Sequence, residues 1–208
     1  MKKIIIFGST GTVGQHLVSQ ALEAGHQVTA FTRNKDKVNT RHERLSILEG
    51  NVLNAHSVER AMEDQNLVLC ALGAGRKGVV RSEGIRNIIK SMQTKGVKRL
   101  ICQSSLGVGD SVSNLNFFWK NIMFGWFLKE AHEDHQLQEK YIFESDLDWT
   151  IARPAAFTNG AKTGTYKHGF PSDDKSTKLK ISRADVAHFI LQEIDQSNYL
   201  HKTPGLSY

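Results

Sequence analysis

The sequence predicts a single-domain α/β protein, a doubly wound parallel sheet with helices on both faces. Three observations point there. Short apolar runs alternate with segments of helical spacing along most of the 208 residues, a pattern that demands parallel strands joined by crossover helices. The first run, Ile4 to Phe7, is continuously apolar, as a strand covered on both faces must be. A glycine series, Gly8, Gly11 and Gly14, follows that run directly and opens the next segment.

The elements follow in order. Ile4 to Phe7 is the first strand. Val13, Leu17, Val18, Ala21 and Leu22 mark one face of a helix that Gly25 closes. Val28 to Phe31 is the second strand and Leu45 to Leu48 a weaker third, with a short helix through Val58, Ala61 and Met62. Leu67 to Leu72 is the fourth strand, ended by Gly73-Ala74-Gly75. Ile85, Ile88, Ile89 and Met92 keep helical spacing up to Gly96, and Arg99 to Cys102 starts the fifth strand. A helical region spans about Phe117 to Glu144, with a bend expected near Gly125. Trp149 to Ala152 is the sixth strand, stopped at Arg153-Pro154. The last helix runs from Arg183 to Ile194 behind Ser182-Arg183-Ala184-Asp185, a capping box whose Asp is shorter than the usual Glu or Gln. Residues 158–180 lack periodicity, so 155–181 is expected to be a surface excursion on the substrate side.

Composition narrows the function classes. The net charge of +6 and the isoelectric point near 9.3 suit a phosphorylated ligand, a nucleic acid or an acidic surface. The basic residues are mostly dispersed among acids, which argues against nucleic acid. Their one concentration is Arg33, Lys35, Lys37, Arg41 and Arg44. Cys70 and Cys102 are too few for a disulfide framework and read as small buried side chains in a reducing compartment. The apolar run after Met1-Lys2-Lys3 is too short for a signal-peptide core. Leu115 to Leu128, interrupted by Asn116, Lys120 and Asn121, falls short of the roughly 20 apolar residues of a spanning helix. The expectation is a cytoplasmic protein without stable membrane insertion, a monomer or weak dimer.

The strongest chemical signal is Gly8-Ser9-Thr10-Gly11-Thr12-Val13-Gly14 between strand and helix. Gly8 permits the tight turn, Gly11 the approach of backbone to a pyrophosphate, and Gly14 close helix–sheet packing. The helix N-terminus offers N–H groups and partial positive charge to the phosphates. The spacing is G-x-x-G-x-x-G rather than G-x-G-x-x-G, yet strand before and helix after mark a Rossmann dinucleotide cradle. An acid ending the second strand would select NAD. Arg33 stands there instead, 19 places after Gly14, and a guanidinium can grip a 2′-phosphate in paired hydrogen bonds. Lys35 and Lys37 add to the field, although an ordinary solvated basic loop would read the same way. The expected cofactor is NADP(H).

Together these features resemble atypical short-chain dehydrogenase/reductases. The residues that carry the resemblance are the opening GSTGTVG, Arg33, Ser82-Glu83-Gly84 and Gly96-Val97-Lys98-Arg99. Glu139, Ser145, Leu147-Asp148-Trp149-Thr150-Ile151 and Arg153-Pro154 are similar to the "E…S-G-L-x-x-T-I-x-R-P" signature of the NmrA-like and flavin-reductase branch. Thr163-Gly164-Thr165-Tyr166, Ile181 to Phe189 and Tyr208 resemble biliverdin-IXβ/flavin reductases. The likeness spans nearly the whole chain. It implies NADPH reducing a flavin, a tetrapyrrole or a related planar acceptor such as a quinone by direct hydride transfer. It implies cofactor contacts at Gly8, Ser9, Thr10, Gly11, Thr12, Val13, Gly14, Arg33, Ala71, Leu72 and Gly73. Ser104 would stand beside the nicotinamide, with Pro154, Ala155 and Phe157 over it. Asn51-Val52 replaces the usual Asp-Val at the adenine, and Ala156 stands where biliverdin-type enzymes can carry a histidine.

The Tyr-x-x-x-Lys pair of typical short-chain dehydrogenases is missing: Gly125 and Gln136 stand four before Lys129 and Lys140. That pair donates the proton in alcohol and ketone chemistry, so secondary-alcohol oxidation is disfavoured. Flavin reduction survives, because a solvent proton completes the transfer and the protein mainly orients the reactants. Ser104 is a candidate catalytic residue, with Ser105 as its alternate and a turn or cap as the plainer reading. His132 and His135 lack the H-E-x-x-H pattern, so no metal site is expected. His135 and Glu139 share a helix face that is either solvated or turned to the substrate, and His135 is the candidate proton donor. The aromatic cluster Phe117, Phe118, Trp119, Phe124, Trp126 and Phe127 reads mainly as helix core, partly as a stacking wall. A dimer contact or weak membrane association also fits it. Two rivals stand beside the reductase: a non-catalytic NADP(H)-binding regulator, and a sugar-nucleotide epimerase or dehydratase.

Overall fold

The computed structural model describes residues 1–75 and 78–208. Strands β1 (Lys3–Phe7), β2 (Gln27–Thr32), β3 (Leu45–Glu49), β4 (Leu67–Cys70), β5 (Arg99–Gln103) and β6 (Asp148–Pro154) carry most of the sheet. Helices α1 (Gly14–Glu23), α2 (Ala55–Ala61), α3 (Val80–Lys95), α4 (Lys129–Phe143) and α5 (Arg183–Gln196) connect or flank them. The chain adds β7 (Ala156–Thr158), β8 (Lys167–His168), β9 (Lys180–Ser182) and β10 (Gly205–Ser207). The main sheet runs β3-β2-β1-β4-β5-β6-β10-β8, with β7 and β9 forming a separate pair. Every pairing is parallel except β10 with β8. This is the Rossmann-type doubly wound sheet.

The apolar first strand divides its residues between two cores. Ile4 and Ile6 pack with α1 and α5, among Leu17, Ala21, Val186 and Ile190. Ile5 and Phe7 pack on the other face with Val58, Ile85, Ile88 and Met92 of α2 and α3. Side chains alternate across a strand, so burial on both faces makes every position apolar and removes the alternation that marks a half-exposed strand.

Strand order reverses between β1 and β4, because the chain leaves β1 toward β2 and β3 and returns on the other side. Ligands bind at such a reversal, beyond the carboxyl ends of the strands. The register aligns those ends: Phe7 lies beside Phe31 and Cys70, Cys70 beside Cys102, and Cys102 beside Ile151. Gly8, Arg33, Ala71, Ser104 and Pro154 therefore leave the sheet along one edge. The fourth strand ends at Cys70, short of the expected Leu72, because Ala71-Leu72-Gly73 turn away to line that edge.

The excursion at 155–181 carries β7, β8 and the start of β9, and β10 follows near the terminus; these two- and three-residue strands are too short to show a period. One expectation needs correction. The region 117–144 is not one helix bent near Gly125. A π-helical segment, Phe118–Phe127, meets α4 at Leu128. Phe117 (76% exposed) and Trp126 (80%) lie in solvent instead of the core. Among the described residues, no helix is long and apolar enough to cross a membrane. Cys70 and Cys102 are buried and unbridged.

Candidate coenzyme and acceptor site

Gly8 leaves β1 with φ +81°, a conformation that favours glycine. A Cβ there would lie 2.3 Å from the Ala71 carbonyl oxygen, and one on Gly14 would lie 2.0 Å from the Gly8 carbonyl oxygen. The loop is therefore seated against β4 and α1 as tightly as backbone allows. The Gly11 N–H donates to the Gly8 carbonyl at 2.9 Å, which turns the loop into the first turn of α1.

What caps each helix is informative. Asn54 accepts from the Ser57 N–H at the start of α2, and Ser182 accepts from the Asp185 N–H at the start of α5. Asp134, reaching across from α4, accepts from the Arg81 and Ser82 N–H groups of α3 at 3.1 and 3.0 Å. Helix α1 has no side-chain cap and no acid in its first turn. The loop residues that lead into it, Thr10, Gly11, Thr12 and Val13, border a cavity of about 780 Å³. A helix start without a side-chain cap, its positive end facing an open space, forms an anion site.

The cavity follows the carboxyl edge in both directions. On one side it is bordered by Phe31, Thr32, Arg33, Lys37, Asn51 and Val52. Arg33 is exposed and makes no hydrogen bond or ion pair with any described residue, so its guanidinium is available to a ligand. On the other side it passes Ala71, Leu72, Gly73, Ser104, Pro154, Ala155 and Phe157. Ser104 is 2% exposed, and its Oγ is buried without a hydrogen-bond partner among the described residues. A buried hydroxyl left unpaired costs stability unless a ligand supplies the bond. Together with the open cradle, this orphan fits a dinucleotide: phosphates at α1 and a polar amide at Ser104.

Beyond Ser104 the cavity turns apolar. Leu106, Leu115, Trp119, Met123, Phe124 and Leu128 wall it, the last four from the π-helical segment and its junction with α4. The inner aromatics of the cluster thus do line the pocket, while Phe118, Trp126 and Phe127 remain exposed.

Several assignments change in kind. Ser9 does not border the cavity: it is buried, and its hydroxyl donates to the Phe31 carbonyl at 2.9 Å, joining the ends of β1 and β2. Gly14 supports the loop from behind. His135 borders the cavity, but burial, reinforced by the Arg81 guanidinium, holds its pKa down at about 3. At neutral pH its ring carries no extra proton, which speaks against the candidate proton donor of the sequence reading and leaves a neutral hydrogen-bonding group. Glu139 does not face the acceptor. It is 2% exposed and grips the Arg153 guanidinium at 3.0 and 2.6 Å. Burial alone would lower the Arg153 pKa; the bonds to Glu139 and Asp110 outweigh it and raise that pKa.

The expected capping box is half formed. Ser182 caps α5, but the Asp185 carboxylate turns outward, accepting from the Thr163 and Gly164 N–H groups and from the Tyr208 hydroxyl at 2.6 Å. Burial would raise the Asp185 pKa, and these bonds override it to leave the pKa below the usual carboxylate value. The brace fixes the start of α5, where Arg183 enters the cavity wall. Sequence reading assigned Arg183 no site role, and nothing in the local sequence signals one: its partner Thr12 lies 171 positions away.

An uncapped helix behind a glycine loop, opening at the strand-order reversal into a cavity of this size, is the architecture of a dinucleotide-binding protein. Residues 8–197 match the NAD(P)H-binding family, to which the chain belongs. Among sequence relatives, photosystem II assembly factor Ycf39 of Synechocystis is 24% identical over 97% of this chain, which spans only 61% of that protein's length. Two solved structures share the fold. ChuY, an anaerobilin reductase from Escherichia coli O157:H7, has a TM-score of 0.82 at 24% identity, covering 99% of this chain and 96% of that one. A short-chain dehydrogenase/reductase from Veillonella parvula, solved in complex with NADP, has a TM-score of 0.82 at 19% identity, covering 100% and 94%.

Proposed function

We propose that this protein is an NADPH-dependent reductase of a planar acceptor (a flavin, a linear tetrapyrrole or a quinone), of the flavin/biliverdin-reductase type. The observation that carries the reading is the continuity of one cavity. It runs from the open N-terminus of α1, past the unpaired Ser104 hydroxyl, into a chamber walled by leucines and aromatics. When bound, the coenzyme supplies a hydride and leaves as NADP+; the acceptor takes that hydride and one proton.

The chain's own residues have separate tasks. The first-turn amides of α1 hold the pyrophosphate. Arg33, with Lys37 beside it, grips the 2′-phosphate. Ser104 fixes the carboxamide and so the face of the nicotinamide. Trp119 and Phe124 offer flat surface for stacking, and the apolar wall excludes water from the transfer. The proton comes from solvent, since His135 is neutral at working pH. The reductase and NADP complex among the fold neighbours support this reading by likeness.

A relative named as an assembly factor favours a second reading, a regulator that binds NADP(H) without turnover. Following NADPH absorbance with FMN, FAD, riboflavin, biliverdin and a short-chain quinone separates the two. The reductase predicts turnover with at least one acceptor; tight binding with no oxidation across the panel would establish the regulator instead.

A further inference from the structure

Arg183 stands at the mouth of the glycine loop without a countercharge. Its Nε donates to Thr12 Oγ1 at 3.0 Å, and its Nη1 donates to Asn159 Oδ1 at 2.6 Å. The guanidinium lies 5.1 Å from the centroid of the Phe157 ring, and the side chain borders the cavity. Thr12 and Asn159 are neutral, and no carboxylate among the described residues pairs with it. Its backbone is fixed by the Ser182 cap and by the Asp185 brace to Thr163, Gly164 and Tyr208. The uncapped N-terminus of α1 faces the same space. Two positive features sharing one opening, with no protein anion between them, call for an anionic ligand there.

We propose that Arg183 is a second coenzyme-binding guanidinium, which takes the pyrophosphate oxygens beside Thr12 and thereby holds β7 and the adjoining Asn159 over the bound dinucleotide. The inference rests on the coenzyme reading above and adds a division of labour to it. Arg33 recognises the 2′-phosphate that only NADPH carries. Arg183 recognises the diphosphate that NADPH and NADH share. Because the one guanidinium contacts both Thr12 of the glycine loop and Phe157 and Asn159 of the 156–159 segment, the same residue couples occupancy of the cradle to closure of that segment.

The test compares Arg183→Ala, Arg183→Lys and Arg33→Ala by fluorescence titration with NADPH and with NADH, and by backbone hydrogen exchange of residues 156–160 with and without NADPH. Loss of a charge-assisted hydrogen-bonded contact predicts about ten- to a hundredfold weaker binding for Arg183→Ala, by the same factor for both coenzymes. Arg183→Lys, which keeps the charge but not the planar fork, should fall between; it decides the matter if the alanine variant does not fold. In the wild type NADPH should slow exchange across 156–160, and Arg183→Ala should remove that protection. Unchanged affinities, or a loss confined to NADPH, would overturn the proposal. Failure of the wild type to bind either coenzyme would instead overturn the reading on which it rests.

Discussion

On the proposed reductase reading, replacing Gly14 by alanine is expected to lower turnover about a hundredfold, the loss typical when reacting groups are misplaced by about an ångström. The added Cβ would sit 2.0 Å from the Gly8 carbonyl oxygen, 2.8 Å from its carbon and 2.9 Å from Ser9 Cα. All three are backbone atoms, so no side chain can swing aside. Either α1 retreats from the sheet or the loop lifts from β4, and each movement would shift the start of α1 relative to the cavity where the pyrophosphate is proposed to sit. Overpacking of this kind costs about 1–3 kcal/mol in stability as well. Gly125→Ala serves as the control for the fold, since its Cβ would meet nothing closer than the Lys120 carbonyl oxygen at 3.6 Å. Acceptor-dependent NADPH oxidation, NADPH titration and thermal melting of both variants check the prediction. A Gly14→Ala protein with wild-type melting and affinity would show that the loop is not packed as described.

Glu139→Ala should be among the most destabilising substitutions in the chain, at about 3–5 kcal/mol, the usual cost of stranding one member of a buried ion pair. Arg153 and Glu139 are 3% and 2% exposed, and the carboxylate takes two of the guanidinium's donors. Asp110, the remaining ionic partner, is largely exposed on its side-chain surface and cannot screen a buried charge equally well. A typical domain is stable by only about 5–15 kcal/mol, so the urea midpoint should move markedly. Replacing both residues with apolar ones of similar volume should recover much of the loss, which a double-mutant cycle would measure. A change below about 1 kcal/mol for Glu139→Ala alone would contradict a closed, desolvated pair. The same pair shows why Glu139 misleads in the sequence. One helical turn from His135, it reads as either solvated or turned to the substrate, and only the fold shows Arg153 of β6 beside it.

Residue patterns made the first half of the fold legible and much of the second half obscure. Ile4 to Phe7 announces a doubly covered strand because both faces are packed. The cradle is readable because its glycines are required by atoms within a few residues or on the adjoining strand. By contrast, β10 is three residues long and exists because Leu206 pairs with Pro154 of β6 on one side and His168 of β8 on the other. No local pattern encodes partners so distant. The aromatic run at 117–127 invites burial by composition, yet the segment crosses the rim of a cavity, which Trp119, Met123 and Phe124 line while Phe117 and Trp126 stay exposed. Arg183 is hidden for a related reason: its residue type is common at the start of a helix, and its role depends on a hydroxyl from the other end of the chain.

The central claim is that the α1 N-terminus seats a dinucleotide whose extra phosphate meets Arg33. Calorimetric titration of the wild type and of Arg33→Ala, each with NADPH and with NADH, tests it most directly. Saturable binding is expected, with NADPH held at least about tenfold more tightly, as one charge-assisted bidentate contact allows, and with that margin erased by the substitution. Absence of saturable binding to either coenzyme, or an equal loss for both in Arg33→Ala, would contradict it.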